Sequence, residues 1–171
     1  MQHINFEFKA KTNDLSFLEN KFLELNPKFI GEDHQTDTYF NVVKGRLKLR
    51  EGNIENSLIY YERKNVAAAR QSDVNLFKHT ADPSLKDILI KVHGIKVVVN
   101  KIRKIYFIEN VKFHFDTIKS LGSFVEVEAI DATRSIGIEK LKQQCRKYQT
   151  FFGFADADLI SLSYSDMLLA R

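Results

Sequence analysis

The sequence predicts an α+β protein in which a mostly antiparallel sheet of roughly eight strands curls into a β-barrel with flanking helices. Segments with strand-like alternation dominate the chain, and helices do not separate them regularly, as they would in parallel βαβ units. Several of these segments carry charged side chains at every second position. Because burying such a face in an ordinary core would cost much desolvation free energy, we expect the charges to surround a wet lumen.

The first strand shows this alternation most clearly. From Asn5 to Lys9, Glu7 shares one face with Asn5 and Lys9, whereas Phe6 and Phe8 share the other. This strand therefore presents a carboxylate and an ammonium group on one face, which suits a charged ligand. The same spacing of two recurs in three later sets, which are Arg46, Lys48 and Arg50, then Lys101 and Arg103, and then Glu126 and Glu128.

The first half of the chain places one helix after this strand. Asp14, or Asn13 before it, can cap a helix that runs to about Leu25, in which leucine and phenylalanine recur every three or four residues. Pro27 ends this helix. Alternation and turn residues at Lys44-Gly45 and Gly52 then predict antiparallel strands over 35–43, 45–51 and 57–64. The alanine-rich stretch 65–72 fits no element clearly.

The second half contains a meander bounded by helices. A strand over 72–78 precedes Asp82-Pro83, an N-cap and first-turn proline for a short helix that ends before Gly94. Strands follow over 96–103, 104–111, 112–117 and 123–130. Apolar residues at helical spacing predict a long helix over 133–152, and a short helix is expected over 163–170.

Composition favours a soluble protein that binds a small anion. The 171 residues, of which 44% are apolar and 28% charged, are expected to form one domain over 1–171. The net charge of +4 suits an anionic ligand but is low for a nucleic-acid surface, so we expect no nucleic-acid partner. The oligomeric state stays open between a monomer and a homodimer.

The lone cysteine and the absence of long apolar runs indicate a cytoplasmic location. Cys145 excludes an internal disulfide and lies on an apolar helix stripe, which predicts a buried structural thiol. The N-terminus has no basic region followed by an apolar run, and no stretch reaches the length that a membrane span needs. We therefore expect no membrane association.

Taken in order, these motifs resemble the CYTH family, the triphosphate tunnel enzymes that include class IV adenylyl cyclases and thiamine triphosphatases. The resemblance spans nearly the whole chain. It is carried by the first strand, where the family has Glu-x-Glu-x-Lys, by 35–40 with 45–51, by Lys101-Ile-Arg103, by Asp116, and by the stretch from Leu121 to Glu128. It implies an eight-stranded antiparallel tunnel that takes a triphosphate group and a divalent metal, Mg²⁺ or Mn²⁺.

The resemblance also implies roles for the charged residues. Phosphate oxygens would be held by cations, which are Lys9, Lys48, Arg50, Arg63, Lys101 and Arg103. The metal would be held by the carboxylates of Glu7, Glu126 and Glu128. Asp116 matches the acid that the family places near the metal or the reacting phosphate, so Glu7, Lys9 and Asp116 are the expected catalytic residues.

One position departs from the family pattern. Asn5 stands where the family has its first glutamate, and an amide brings no charge to a metal site. The sequence is therefore consistent with three functions. The first is hydrolysis of inorganic triphosphate, thiamine triphosphate or a nucleoside triphosphate. The others are cyclisation of ATP to cyclic AMP and pyrophosphate, and binding of a triphosphate without turnover. In each case the partner is a small molecule that contains a triphosphate.

Histidines and tyrosines complete the candidate list. The five histidines lack metal-ligand spacing, so His3, His34, His79 and His93 are expected on surfaces or loops, whereas His114 is expected to line the tunnel. The aromatic candidates for contact with a nucleobase or thiamine ring are Tyr39, Tyr60 and Tyr61. Packing within the sheet explains these tyrosines equally well.

Overall fold

Eight strands close into a barrel in the computed structural model, which describes residues 2–62, 70–80 and 82–171. The strands are β1 (Gln2–Thr12), β2 (Lys28–Phe40), β3 (Arg46–Glu51), β4 (Ser57–Glu62), β5 (Arg70–Lys78), β6 (Ile95–Ile108), β7 (Val111–Ile118) and β8 (Gly122–Asp131). Around the barrel they follow the order β1-β5-β4-β3-β2-β6-β7-β8, and every neighbouring pair is antiparallel. The predicted antiparallel barrel is confirmed.

Helices flank this barrel at the expected places. They are α1 (Leu15–Leu23), α2 (Pro83–His93), α3 (Ile138–Phe152) and α4 (Tyr164–Leu169), with a short 3₁₀ turn at Asp156–Asp158. As predicted, Asp14 caps α1 by accepting from the Phe17 amide at 2.9 Å, and Asp82 caps α2. The longest of the described helices, α3, has 15 residues, and none of these helices has the length and apolarity that a membrane crossing needs.

The strand boundaries differ from the prediction in the middle of the chain. The two strands expected over 96–103 and 104–111 are one strand, β6, because no turn residue lies between Arg103 and Lys104. The chain reverses instead at Glu109, which adopts a positive φ of 51°. The strand expected over 35–43 starts earlier, at Lys28, and pairs with β6 along its whole length, apart from register shifts at its two ends. The long β2–β6 pair forms one side of the barrel.

The start of α3 also differs from the prediction, which placed it near 133. Before the helix, the Asp131 carboxylate accepts hydrogen bonds from the backbone amides of Ser135, Ile136 and Gly137, each at 3.0 Å. These bonds hold the chain in a loop, since they satisfy amides that would otherwise begin a helix. The helix therefore begins at Ile138.

The main hydrophobic core lies outside the barrel, between the sheet and the helices α1 and α3. Its centre is Phe22 of α1, whose ring contacts Phe113 with a centroid distance of 4.4 Å and Phe152 at 5.8 Å. Cys145 is fully buried in the same core, as predicted, and burial raises the pKa of its thiol to about 12. Because Phe8 of β1 faces this core, its neighbours on the strand face the lumen.

Removal of the Phe22 ring is expected to destabilise the protein by about 3–5 kcal/mol, because the fully buried ring leaves a cavity among other aromatic rings. Chemical denaturation of Phe22→Ala measures this loss. Phe17→Ala on the same helix is the control, because the Phe17 side chain is 62% exposed and its removal should change the unfolding free energy by less than about 0.5 kcal/mol. Equal losses in the two variants would contradict this packing.

Candidate functional site

The barrel encloses a cavity of about 500 Å³. Of the site residues predicted from the sequence, those that line it are Glu7, Lys9, Lys48, Arg50, Lys101, Arg103, Glu126 and Glu128. They come from four strands, and in each strand the charged residues share one parity, as the sequence predicted. The other three strands therefore alternate as β1 does. Their charged side chains face the lumen, and apolar side chains lie on the outer face of the barrel.

Four of these residues form a cationic face, which consists of Lys48 and Arg50 on β3 and Lys101 and Arg103 on β6. The buried carboxylate of Asp37, on the intervening strand β2, accepts hydrogen bonds from Lys48 at 2.9 Å and Lys101 at 2.6 Å. Arg50 donates to the same carboxylate through Nε at 2.8 Å and Nη2 at 3.0 Å. One negative charge therefore serves three cations, of which Arg50 and Lys101 are buried.

This arrangement leaves positive charge in excess. Burial would raise the pKa of Asp37, but Arg50, Lys101 and Lys48 hold it well below its usual range. The pKa of Lys101 is well below its usual range because the ammonium is buried and lies near Arg50 and Arg103, despite its bond to Asp37. A positive potential of this kind stabilises an anion that enters the cavity.

The guanidinium group of Arg103 is oriented by the carboxylates of Asp116 and Glu126. Its Nε and Nη2 atoms donate to the two oxygens of Asp116 at 2.7 and 2.6 Å, and Nη2 also donates to Glu126 at 2.7 Å. Asp116 has no exposed surface and also accepts a hydrogen bond from the Tyr164 hydroxyl at 2.7 Å. Asp116, expected near the metal or the reacting phosphate, contacts Arg103 and orients its guanidinium group.

An acidic face lies on the adjacent strands β1 and β8 and consists of Glu7, Glu126 and Glu128. Glu7 and Glu128 are directly paired in register, and Glu126 is paired with Lys9, whose ammonium lies 3.3 Å away. Burial would raise the pKa of Glu126, but Lys9 and Arg103 hold it well below its usual range. Burial and the neighbouring carboxylates of Glu126 and Glu7 raise the pKa of Glu128 to about 7.

His114 joins this acidic face from β7. Its Nδ1 atom lies 3.5 Å from Glu126 and 3.6 Å from Glu128, and neither ring nitrogen has a hydrogen-bond partner among the described residues. Burial lowers the pKa of His114 to about 3, so its ring is neutral. The ligand atoms of His114, Glu126 and Glu128 all lie within 4.8 Å of one another, a spacing that fits one metal ion.

The profile of the CYTH domain matches residues 3–158. This chain belongs to the CYTH family. Among the relatives of this CYTH protein, one from Methanocaldococcus jannaschii, named as a candidate adenylate cyclase, is 26% identical over 136 residues, which cover 73% of this chain and 76% of the relative.

Solved structures resemble this CYTH barrel over almost its full length. A protein from Pyrococcus horikoshii superposes with a TM-score of 0.81 at 24% sequence identity, covering 95% of this chain and 98% of that one. A Hippeastrum protein, described as a candidate adenylyl cyclase with a dominant triphosphatase activity, superposes with a TM-score of 0.63 at 13% identity, covering 98% and 94%. At these identities the likeness establishes the fold.

The residue that departs from the CYTH pattern lies inside the cavity. Asn5 is 5% exposed and lines the cavity, and its side-chain oxygen has no hydrogen-bond partner in the described part of the chain. Ser72 of β5 is paired in register with Asn5, and its hydroxyl also lacks a hydrogen-bond partner among the described residues. Two neutral oxygen atoms therefore face the lumen beside the acidic face, where the family places a carboxylate.

Several residues of this CYTH site were missed in the sequence. Asp37 carries the inward parity of β2, so its spacing of two from Tyr39 could have revealed it. Lys112 shares the parity of His114 and could have been found in the same way. No strand pattern marks Glu55, because it lies in the loop between β3 and β4. Its carboxylate accepts a hydrogen bond from Arg50 at 2.9 Å and is paired with Lys112.

The loop that carries Glu55 is itself held by a buried carboxylate. Asp33 accepts hydrogen bonds from the amides of Ile54 and Glu55, both at 2.9 Å. Its oxygen would lie 2.5 Å from a Cβ atom placed on Gly52, so only glycine fits at that position of the turn. The hydrogen bonds to Asp33 hold the loop that brings Glu55 to the cavity.

Other predicted residues fall in different places. Arg63 lies outside the described residues. Tyr39 and Tyr61 line the cavity, whereas Tyr60 has the outward parity and donates its hydroxyl to Glu62 at 2.8 Å. His3, which was expected on a surface or loop, is half-buried on β1 and lines the cavity. So do His79 and, as expected, His114.

The C-terminal segment covers one end of the cavity. The ring of Tyr164, at the start of α4, lies 3.9 Å beneath the Lys9 ammonium and packs against Phe124 with a centroid distance of 5.0 Å. Helix α4 is fixed by a capping box between Ser163 and Asp166, and Asp166 is paired with Arg46 of β3 at 2.8 Å. Tyr164 belongs to an apolar cluster at this end, together with Tyr39, Val99, Ile118, Leu121 and Phe124.

Proposed function

We propose that this CYTH protein hydrolyses a triphosphate-containing substrate with the help of a divalent metal ion, Mg²⁺ or Mn²⁺. The observation that carries the proposal is the meeting of the cationic and acidic faces in one cavity. A polyphosphate needs cations to bind, and its phosphorus atoms need further charge neutralisation to react. The triphosphatase activity ascribed to the structurally similar Hippeastrum protein supports this choice.

The cationic face would bind the phosphate chain. Lys48, Arg50 and Lys101 already share one carboxylate, Asp37, so they are positioned before an anion arrives and need little reordering. Arg103 would present its remaining donors at an angle fixed by Asp116. Lys9 stands between the two faces, because it lies on β1 beside Glu126, and would contact the phosphate nearest the metal.

The acidic face fits a divalent cation. Carboxylate oxygens suit Mg²⁺ and Mn²⁺, and the unpartnered ring of His114 adds a neutral nitrogen that Mn²⁺ accepts more readily than Mg²⁺. Glu126 and Glu128 would hold the ion, with His114 and Glu7 beside them. When bound, the ion would neutralise phosphate charge and polarise the reacting phosphorus.

Product analysis tests the proposal. Pure protein is incubated with tripolyphosphate, thiamine triphosphate or ATP, with Mg²⁺ or Mn²⁺, and products are separated by ion-exchange chromatography. We expect release of orthophosphate from at least one of these compounds and no release in excess EDTA. Cyclic AMP and pyrophosphate from ATP would instead establish the cyclase, the activity named for the Methanocaldococcus relative. Absence of turnover with all three compounds would contradict an enzymatic role.

Asn5 provides a prediction about metal affinity. Asn5→Glu should tighten Mn²⁺ binding by about tenfold, because a carboxylate beside Glu7 adds Coulomb attraction that the amide lacks. Titration followed by electron paramagnetic resonance of free Mn²⁺ measures the affinity. Asn75→Glu adds the same charge on the outside of β5, where the side chain is exposed, and should leave the affinity unchanged. An unchanged affinity in Asn5→Glu would place this position outside the metal shell.

A further inference from the structure

The ring of Tyr164 lies beside lysines from two different strands. Tyr164 is buried and lines the cavity. The Lys9 ammonium lies 3.9 Å from the centre of its ring, and the Lys101 ammonium lies 6.0 Å from it. An ammonium group within about 6 Å of a tyrosine ring centroid is attracted by the negative face of the ring, most strongly where water is excluded. Tyr164 therefore attracts one lysine of β1 closely and one of β6 more weakly.

Two further contacts hold this ring under Lys9. The Tyr164 hydroxyl donates a hydrogen bond to Asp116 at 2.7 Å, and the ring packs edge-on against Phe124. Burial and the neighbouring carboxylates of Asp116 and Glu126 raise the pKa of Tyr164 well above its usual range, so the hydroxyl keeps its proton and acts as a donor. The ring is therefore anchored at its hydroxyl and at its side.

Lys9 and Arg103 are each supported from two sides. Glu126 accepts a hydrogen bond from Arg103 at 2.7 Å, and its other oxygen lies 3.3 Å from the Lys9 ammonium. On the other side, Tyr164 contacts Lys9 through its ring and bonds Asp116, which in turn accepts two hydrogen bonds from Arg103. The support opposite Glu126 thus depends on Tyr164 for both cations.

The segment that carries Tyr164 is also attached to the backbone of Lys9. Leu159 forms a β-bridge with Ala10, and the Ile160 amide donates to the carbonyl oxygen of Lys9 at 2.8 Å. The main chain and the side chain of Lys9 therefore both contact the C-terminal segment. This attachment places the Tyr164 ring relative to β1 through short-range contacts.

We propose that Tyr164 is a positioning residue, which orders the Lys9 ammonium before the phosphate chain binds. A lysine side chain has many rotamers, and it loses this freedom when it binds a phosphate, which lowers the affinity. A ring that already holds the ammonium removes part of this loss. The inference rests on the proposed function, because that function assigns Lys9 to the phosphate chain.

NMR tests the contact in the absence of any ligand. Protons above the face of an aromatic ring resonate upfield, so the Cε protons of Lys9 should resonate upfield of those of exposed lysines. The signals are assigned by their absence in Lys9→Met. We expect the upfield shift to persist in Tyr164→Phe, which keeps the ring, and to disappear in Tyr164→Leu. A wild-type protein without this shift would overturn the inference, whatever the protein binds.

A double-mutant cycle tests whether the contact contributes to binding. In isothermal titration of tripolyphosphate in EDTA, Tyr164→Leu should weaken binding by about tenfold, and Tyr164→Phe should retain most of the affinity. In a Lys9→Met background, Tyr164→Leu should have no further effect. In a Lys48→Met background, it should again weaken binding by about tenfold, because the Lys48 ammonium lies over the rings of Tyr39 and Tyr61.

Tyr148→Leu controls for the loss of a buried tyrosine ring. Tyr148 packs against Phe113 in the core outside the barrel, so this variant should bind tripolyphosphate as the wild type does. Thermal unfolding verifies that each variant is folded. An equal loss of affinity from Tyr164→Leu with and without Lys9 would overturn the inference and leave the proposed function standing. A wild-type protein that does not bind tripolyphosphate would overturn both.

Discussion

Replacement of Asp37 by asparagine is expected to lower the free energy of unfolding by about 3–5 kcal/mol, because it leaves buried cations without their shared counter-ion. The substitution conserves shape, so the loss reports charge rather than packing. Chemical denaturation in phosphate-free buffer measures it. An added polyanion should restore much of this loss, since its oxygens would replace the missing charge at Lys48, Arg50 and Lys101.

Asp131→Asn is the matched control for this rescue. Asp131 is also buried, but it accepts hydrogen bonds from backbone amides and has no cation as a partner in those bonds. Saturating tripolyphosphate should therefore raise the melting temperature of Asp37→Asn by more than that of the wild type, and raise that of Asp131→Asn by the wild-type amount. Equal increases in all three proteins would contradict a cationic face that is built around Asp37.

Replacement of Glu126 by glutamine is expected to weaken Mn²⁺ binding by about 100-fold and to lower kcat by a similar or larger factor. Glu126 belongs to the group of three possible metal ligands and is also bonded to Arg103. The amide keeps the volume but removes the charge that attracts the metal and part of the charge that orients Arg103. Metal titration and steady-state kinetics at several Mn²⁺ concentrations measure the two losses.

Glu109→Gln makes the same chemical change at an exposed position in the turn after β6 and should alter neither quantity. If the kcat of Glu126→Gln recovered fully at high Mn²⁺, the residue would serve metal affinity alone. Wild-type metal affinity in this variant would contradict the placement of the metal on the acidic face.

The sequence predicted the barrel well because its inward faces are charged. Glu7 and Lys9 alternate with phenylalanines, and this parity is enough to place them in the lumen. The same reasoning placed Arg50, Lys101 and Arg103 correctly. It failed for Asp37 because Thr36 and Thr38 flank it, so that both faces of that strand looked partly polar.

The remaining site residues depend on tertiary contacts that no local pattern encodes. Glu55 reaches the cavity through a loop that Asp33 holds from another strand. Tyr164 enters the barrel from the C-terminal helix, and only the folded chain brings it to Asp116. Ile59 and Val74 line the cavity and follow the same period of two as the charged faces, but an apolar parity in a strand ordinarily indicates the core side. Their position inside the lumen therefore became visible only in the closed barrel.

A crystal structure of the protein with tripolyphosphate and Mn²⁺ tests the central claim most directly, because the anomalous signal of manganese marks the metal independently of the ligand. We expect phosphate oxygens within hydrogen-bond distance of Lys48, Arg50 and Lys101, and a manganese peak within coordination distance of Glu126 and Glu128. Tripolyphosphate bound only on the outer surface of the barrel, or manganese remote from both glutamates, would contradict it.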